Sequence, residues 1–301
     1  MGRVRTALLV TLALLGPAAC GDDEALHLDR LAREHLGDRG DVPGAAAAVP
    51  AAPGSEPGLP IRAEPVEYGE GAAAPLRGYL ARPAEPARGG PGVLVIHEWW
   101  GLNDNIRSVT RRLAAQGYTA LAVDLYEGGH SADPGEARLL ATQASRRAHR
   151  VEANLLQAHA YLRERQGTLR VGVVGWCFGG GWALRTALLL PDQIDATVIY
   201  YGRVVTEPSR LAPLSMPILG IFAGRDRAIP LSQVREFERV LEDLGKRARI
   251  LVYEDADHAF ANPSGDRYEP EAAARAWAET VAFLGEHLGG TRPGEAAAGA
   301  P

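Results

Sequence analysis

The chain has 301 residues, of which 46% are hydrophobic and 23% charged, and its formal net charge is -5. These values are typical of a globular protein with one large core, and they argue against a disordered chain or a collagen-like polymer. The acidic balance gives no electrostatic support for a nucleic-acid partner, so none is expected.

The first 20 residues have the composition of a secretory signal. Arg3 and Arg5 make a basic start, and residues 7–15 are an apolar run too short to span a bilayer. Cys20 follows two alanines and resembles the acylated cysteine of bacterial lipoproteins. We therefore expect residues 1–20 to be a signal peptide of the lipoprotein type, and the protein to be exported and held at the membrane only by a lipid on Cys20. The alternative is an ordinary cleavage site and a secreted or periplasmic protein.

Two further segments have a composition unlike that of a folded core. Residues 22–40 are charged with spaced leucines, which indicates a short amphipathic helix, whereas residues 41–60 are mostly Ala, Pro and Gly. We interpret residues 21–64 as a low-complexity tether. The Gly, Ala and Pro content of residues 289–301 predicts a disordered tail.

Residues 65–288 alternate between strand and helix patterns, beginning with an antiparallel pair at 66–68 and 76–81. The later predicted strands are 92–97, 119–124, 171–174, 196–201, 218–223 and 248–253. The predicted helices are 104–116 with Asp104 as N-cap, 134–166, 182–190, 231–245 and 270–288. Strands that alternate with helices favour a single α/β domain with a mainly parallel central sheet, flanked by helices on both faces.

A sharp turn follows the apolar strand that starts at Val171. Its sequence is Gly175-Trp-Cys177-Phe-Gly179, and helical residues follow. In α/β-type hydrolases such a turn lifts a nucleophile above the sheet, and flanking glycines permit the close backbone approach. Here the lifted residue would be Cys177, although a tight turn without catalysis remains the simpler alternative. The only other cysteine lies in the leader, so we expect a free thiol rather than a disulfide.

An acid and a histidine follow two later strands. Cys177, Asp226 and His258 occur in the chain order of a nucleophile, acid and base triad. Cys177 would attack a carbonyl carbon, His258 would carry the proton and Asp226 would orient the imidazole. The backbone amides of Phe178 and Trp99 are candidates for the oxyanion hole. Alone, Asp226 is also typical of a helix or turn cap, and His258 of a packed core histidine.

These residues stand in motifs that resemble the dienelactone hydrolase family, whose members are cysteine hydrolases of the α/β-hydrolase fold. The resemblance covers residues 65–288 and rests on four stretches: Val95-Ile-His-Glu-Trp-Trp-Gly-Leu-Asn-Asp-Asn-Ile-Arg107, Ala122-Val-Asp-Leu-Tyr126, Gly175-Trp-Cys-Phe-Gly-Gly180 and His258-Ala-Phe-Ala-Asn262. It implies that Cys177, Asp226 and His258 are the triad. It also implies that Glu98 is a thiol-activating acid that accepts the thiol proton until substrate displaces it. The alternative for Glu98 is a capping role or a pair with Arg107.

The resemblance leaves the substrate less defined. The founding family members bind a substrate carboxylate with arginines, one of them four residues beyond the catalytic histidine, where this chain has Asn262. Hydrolysis of a small ester, lactone or thioester is therefore expected without a fixed anionic group. The candidate substrate contacts are Trp100, Tyr201, Arg138 and Asn262, and Tyr201 is equally typical of aromatic core packing.

Other kinds of site find no support in the sequence. The eight histidines form no metal-binding spacing, and the glycine-rich turn lacks the Lys-Ser/Thr of a phosphate loop, so we expect no metal and no cofactor. A monomer that acts on a small-molecule ester or lactone is favoured. Two rival hypotheses are a catalytically silent exported ligand-binding protein and a thiol-redox role for Cys177.

Overall fold

The computed structural model describes residues 27–33 and 58–289. The predicted signal peptide, Cys20 and most of the predicted tether and tail lie outside these residues. Within the described ranges, no helix has the length and apolar character that a membrane crossing requires.

Eight strands form one sheet in the described part of the chain. They are β1 (Ile61–Glu70), β2 (Pro75–Pro83), β3 (Gly92–Ile96), β4 (Thr119–Val123), β5 (Val171–Trp176), β6 (Ala196–Tyr200), β7 (Ile218–Ala223) and β8 (Ala248–Tyr253). The spatial order is β1-β2-β4-β3-β5-β6-β7-β8. The pairs β1–β2 and β2–β4 are antiparallel and every later pair is parallel. The predicted mainly parallel sheet with an antiparallel edge is therefore confirmed.

The helices of residues 58–289 follow the strands in the predicted alternation. They are α1 (Asp104–Ala115), α2 (Pro134–Arg146), α3 (Ala148–Ala160), α4 (Phe178–Leu189), α5 (Pro208–Leu211), α6 (Leu231–Asp243) and α7 (Pro270–Leu288), with a π-helical turn at Tyr161–Arg165. The prediction of one helix over 134–166 is wrong, because the chain leaves the helical conformation at Arg147 (φ -107°, ψ 35°). No proline or glycine marks that break in the sequence.

The N-terminus of α1 differs from the prediction by one residue. Asn103 is extended, and its side-chain oxygen accepts a hydrogen bond from the amide of Ile106 at 3.2 Å, so Asn103 is the N-cap. Asp104 lies instead in the first turn and pairs with Arg107 at 2.9 Å. An acidic residue there still stabilises the helix, because it faces the positive end of the helix dipole.

Helices cover both faces of the sheet, and the small residues of β5 show how. A side chain at Gly172 would meet Leu284 and Leu288 of α7, whereas one at Gly175 would meet the backbone of α4. Residues three apart on a strand point to opposite faces, so α7 and α4 lie on opposite sides. Every residue of β3, β4, β5, β6 and β7 is consequently buried, which explains their continuous apolar sequences.

The edge strand β1 has a different character. Most of its residues are exposed, it contains Pro65, and its register with β2 shifts between Glu67 and Gly69. It begins at Ile61, four residues before the predicted start of the domain at residue 65.

Residues 27–33 are helical and pack against the domain. Leu28 and Leu31 are 1% and 0% exposed and belong to the main hydrophobic core. Asp29 forms an ion pair with Arg138 of α2. This part of the predicted tether is therefore folded onto the domain, which corrects the interpretation of residues 21–64 as tether throughout.

Candidate active site

Five parallel strands bring polar side chains to one edge of the sheet. Glu98 follows β3, Cys177 follows β5 and Tyr201 follows β6, while Asp226 and His258 lie in the loops after β7 and β8. The carboxyl ends of neighbouring parallel strands meet at the same edge, which is where α/β proteins place their binding groups. All five residues are buried, with exposures of 6% or less.

The turn at Cys177 is held by backbone contacts that only glycine allows. Cys177 has φ 55° and ψ -119°, an uncommon conformation for a non-glycine residue. A Cβ at Gly175 would lie 2.0 Å from the carbonyl oxygen of Gly179, and one at Gly179 would lie 2.4 Å from that of Ile96. The amide of Cys177 also donates to the carbonyl of Tyr200 at 3.0 Å. The Gly-x-Cys-x-Gly sequence is thus required by a close approach between α4 and the ends of β3 and β5.

His258 lies between Asp226 and Cys177. Its Nδ1 donates to Asp226 Oδ2 at 2.6 Å, and Cys177 is near enough to raise the pKa of the ring. The other oxygen of Asp226 accepts the amides of Ala228 and Ile229, both at 2.8 Å. Asp226 therefore caps its turn and also accepts a hydrogen bond from the imidazole of His258.

Electrostatic effects on His258 oppose one another. Its complete burial lowers the pKa, whereas the charges of Asp226 and Cys177, and the hydrogen bond to Asp226, raise the pKa well above the ordinary histidine value. The net direction favours a protonated ring.

Glu98 makes its hydrogen bonds to Asn262 and Tyr201. Its Oε2 accepts from Asn262 Nδ2 at 2.6 Å, and its Oε1 accepts from the Tyr201 hydroxyl at 3.4 Å. Burial raises the pKa of Glu98 to about 7, although the nearby His258 and both hydrogen bonds lower it in part. Burial also raises the pKa of Tyr201 well above its usual value, so its hydroxyl stays protonated and can donate.

Asn262 was predicted as a substrate contact, and the structure gives it a different set of partners. Besides donating to Glu98, its Oδ1 accepts from Asn105 Nδ2 and from the Ser264 amide, both at 2.9 Å. Asn105 and Ser264 are not among the site residues predicted from the sequence. The only available signal was the asparagine-rich start of α1, since nothing local links that helix to the loop after β8.

The other predicted site residues are distributed as follows. Phe178 is the first residue of α4, where a helix leaves its amide without an intrahelical acceptor, and Trp99 lies in the loop after β3. Trp100 is 2% exposed and packs edge-to-face against Trp99 at 4.9 Å. Arg138 pairs with Asp29 on the surface of α2. Neither Trp100 nor Arg138 lines the cavity beside Glu98, so the structure does not support them as substrate contacts there.

That cavity has a volume of about 670 Å³ and is bordered by Glu98, Tyr201 and Asn262. The rings of Trp176 and Tyr200, which stack at 5.0 Å, also line it. Its size is that of a small-molecule site. Among the described residues, no group of His, Cys, Asp and Glu is arranged to hold a metal ion.

Comparison with known proteins identifies similar sequences and folds. The model of the dienelactone hydrolase family matches residues 76–288. Protein usf of Aquifex pyrophilus is 36% identical over 71% of this chain and 94% of its own length. A protein of Aquifex aeolicus named "putative carboxymethylenebutenolidase" is 31% identical over the same shares. A crystal structure titled "putative dienelactone hydrolase", from Klebsiella pneumoniae subsp. pneumoniae, has 28% identity and a TM-score of 0.68, and the match covers 75% of this chain and 99% of that one.

Proposed function

Because the chain belongs to the dienelactone hydrolase family and has the α/β-hydrolase fold, we propose that it hydrolyses a small carboxylic ester or lactone through an acyl-Cys177 intermediate. The observation that carries this proposal is the hydrogen bond of His258 to Asp226 at the carboxyl edge of the sheet, where the charge of Cys177 also acts on His258. The name of the Aquifex aeolicus relative points to the same reaction class.

The first half of the proposed reaction forms the acyl-enzyme. The Cys177 thiolate attacks the carbonyl carbon of the ester, and the carbonyl oxygen gains the negative charge. The amides of Phe178 and Trp99 stabilise that oxyanion. When the intermediate collapses, the carbon–oxygen bond of the leaving alcohol breaks, and the alkoxide takes a proton from the His258 imidazolium. A thioester on Cys177 remains.

The second half releases the acid. His258, now neutral, removes a proton from a water molecule, and the resulting hydroxide attacks the thioester carbonyl. Cys177 leaves as a thiolate, the carboxylic acid forms, and His258 is protonated again. Asp226 stabilises the positive ring at both stages, since its carboxylate accepts the Nδ1 proton at 2.6 Å.

We assign Glu98 an electrostatic role on the Cys177 and His258 pair. Its pKa of about 7 means that its charge changes near neutral pH, and its charge acts on His258. The thiol-activating role expected from the family resemblance would require Glu98 to exchange its bonds to Tyr201 and Asn262 for one to Cys177. Binding of the substrate would then have to shift Cys177 from Glu98 towards His258.

The test is hydrolysis of p-nitrophenyl acetate, with trapping of the acyl group. We expect Cys177→Ala to lower kcat by at least about 1000-fold, because loss of a nucleophile removes the covalent route. Mass spectrometry of the quenched wild-type enzyme should show one acetyl group on Cys177. Cys20→Ser, which changes the other cysteine, serves as the control and should retain turnover. Equal turnover by Cys177→Ala, or an acetyl group on another residue, would overturn the proposal.

A further inference from the structure

The cavity beside Glu98 is lined by residues other than Cys177, Asp226 and His258. It lies between α1, α7 and the segment that joins β8 to α7, and its apolar walls include Ile106, Val109, Tyr268, Ala274 and Trp277. Along α1 it extends from Asn105 to Arg112. Seven residues of helix correspond to roughly 10 Å, so the cavity can hold an elongated ligand.

Arg112 is a partly buried charged residue that lines the cavity together with these apolar residues. Its guanidinium carbon lies 4.0 Å from the centre of the Trp277 ring, and burial lowers its pKa. Arginine nevertheless stays protonated in proteins, so the site contains a permanent cation. No carboxylate among the described residues forms an ion pair with it.

The other arginine that lies over a tryptophan in the described residues has an anionic partner. Arg185 also lies over a tryptophan, Trp182, at 4.9 Å, but it keeps an ion pair with Glu152 at 2.7 Å. A cation in apolar surroundings is unfavourable unless an anion compensates it. Arg112 has the aromatic contact without the anion, which leaves the compensating charge to a ligand.

The other charged groups of the cavity do not supply that anion. Glu271 and Arg275 line it from α7 and are both exposed, and Arg275 lies over Tyr253 at 5.6 Å. Glu98, at the catalytic end, is already bonded to Tyr201 and Asn262.

We propose that this cavity binds an amphiphilic carboxylate, whose apolar chain lies against Trp277 and the wall of α1 and whose anionic end pairs with Arg112. The ligand class follows from a long apolar cavity with one partly buried guanidinium, since arginine binds carboxylates through two parallel hydrogen bonds. The site does not depend on the acyl-cysteine mechanism, because none of its proposed contacts is a triad residue.

The test is a direct binding measurement, so it does not require turnover. Octanoate and octanol are titrated into the purified protein, and binding is followed by calorimetry and by the fluorescence of the tryptophans that line the cavity. We expect octanoate to bind at least about tenfold more tightly than octanol, because only octanoate supplies a charge for Arg112. Arg112→Gln should remove this preference, and Ala274→Trp should weaken both ligands by filling the cavity.

Arg111→Gln is the matched control. Arg111 is the next residue of α1, but it donates to the Tyr79 hydroxyl at 3.1 Å and does not line the cavity. The preference for octanoate should survive in this variant. Equal binding of the two ligands to the wild-type protein, no binding of either, or an unchanged preference in Arg112→Gln would each overturn the proposal. Both ligands are compared within one variant. A variant that does not fold loses both ligands, whereas a variant that lacks only the charge of Arg112 loses the preference for octanoate.

Discussion

Glu98 is a carboxyl group in surroundings that favour its neutral form. It is 4% exposed, and burial raises its pKa from 4.5 to about 7 in spite of two hydrogen bonds that favour the charged form. Such a group links the stability of the protein to pH, because the folded and unfolded chains release its proton at different pH values.

We expect Glu98→Gln to reduce the loss of stability between pH 5 and pH 8. In this window the folded protein keeps a proton on Glu98 that the unfolded chain has already released, so the contribution of this group to stability falls as the pH rises. A shift from 4.5 to about 7 corresponds to roughly 3 kcal/mol at about 1.4 kcal/mol per pKa unit. Urea unfolding of both proteins at the two pH values measures the difference.

The control for this experiment is Glu64→Gln. Glu64 is exposed on β1, and its replacement should leave the pH dependence of the wild-type protein intact. If Glu98→Gln loses as much stability as the wild-type protein between pH 5 and pH 8, the carboxyl of Glu98 does not titrate in that range.

At the residue scale, the sequence predicts the groups that follow strands and misses those that join distant segments. The position of Cys177, Asp226 and His258 at the carboxyl edge of the sheet could be predicted because each follows a predicted strand. The partners of Glu98 could not, because Asn262 is 164 residues away from it and Asn105 is 157 residues from Asn262. The start of α1 meets the loop after β8 only when the chain folds.

The turn before α4 is an element in which backbone packing sets the position of Cys177. Gly179 lies against the carbonyl groups at the end of β3, and Gly180 lies against Gly202, which follows β6. Cys177 therefore has its position fixed by two neighbouring strands as well as by its own.

We expect Gly179→Ala to impair both folding and activity. The new methyl group would lie 2.4 Å from the Ile96 carbonyl oxygen and 2.5 Å from that of His97, so α4 must move away from the sheet. Overpacking of this kind lowers the free energy of unfolding by about 1–3 kcal/mol. A displacement of Cys177 by about 1 Å should lower kcat/KM on the order of 100-fold. Denaturant unfolding and ester hydrolysis measure the two effects.

Gly181→Ala is the matched change two residues further along the same helix. Its methyl group would meet no atom closer than 3.5 Å, so it should fit without displacement. Because alanine is the better helix former, we expect a gain of roughly 0.5–1 kcal/mol. If Gly179→Ala is as stable and as active as Gly181→Ala, close packing does not position the turn.

The predicted bounds of strands and helices are right where neighbouring residues in the sequence mark them. They are wrong where only tertiary packing sets them. The bounds of β7, β8 and α7 agree with the sequence prediction, because each begins and ends with a change of residue type or at proline. The break at Arg147 had no such signal. Helical residues continue on both sides of it, and α3 packs against β1, β4 and α4.

For the whole molecule, residues 27–33 change the extent of the folded unit. The family similarity begins at residue 76, yet Leu28 and Leu31 lie in the same core as the central strands. The spaced leucines of residues 22–40 predicted a short amphipathic helix, and residues 27–33 are helical, but the sequence did not show which surface of the domain the helix covers.

We expect Leu31→Ala to lower the free energy of unfolding by about 2–5 kcal/mol, as is usual for truncation of a fully buried leucine. Equilibrium unfolding in urea measures the loss. Leu169→Ala is the control, because Leu169 is 69% exposed and its truncation should change stability by less than about 0.5 kcal/mol. Equal stability of the two variants would show that residues 27–33 do not belong to the folded domain in solution.

The exposed strand β1 has a consequence for behaviour at high concentration. An unpaired strand edge can recruit the edge of another molecule and so begin aggregation. Pro65 lacks the amide that such pairing requires, the register shift between Glu67 and Gly69 interrupts a straight edge, and the charged side chains of β1 repel identical neighbours. The β1 edge should therefore resist pairing with the sheet of another molecule at high protein concentration.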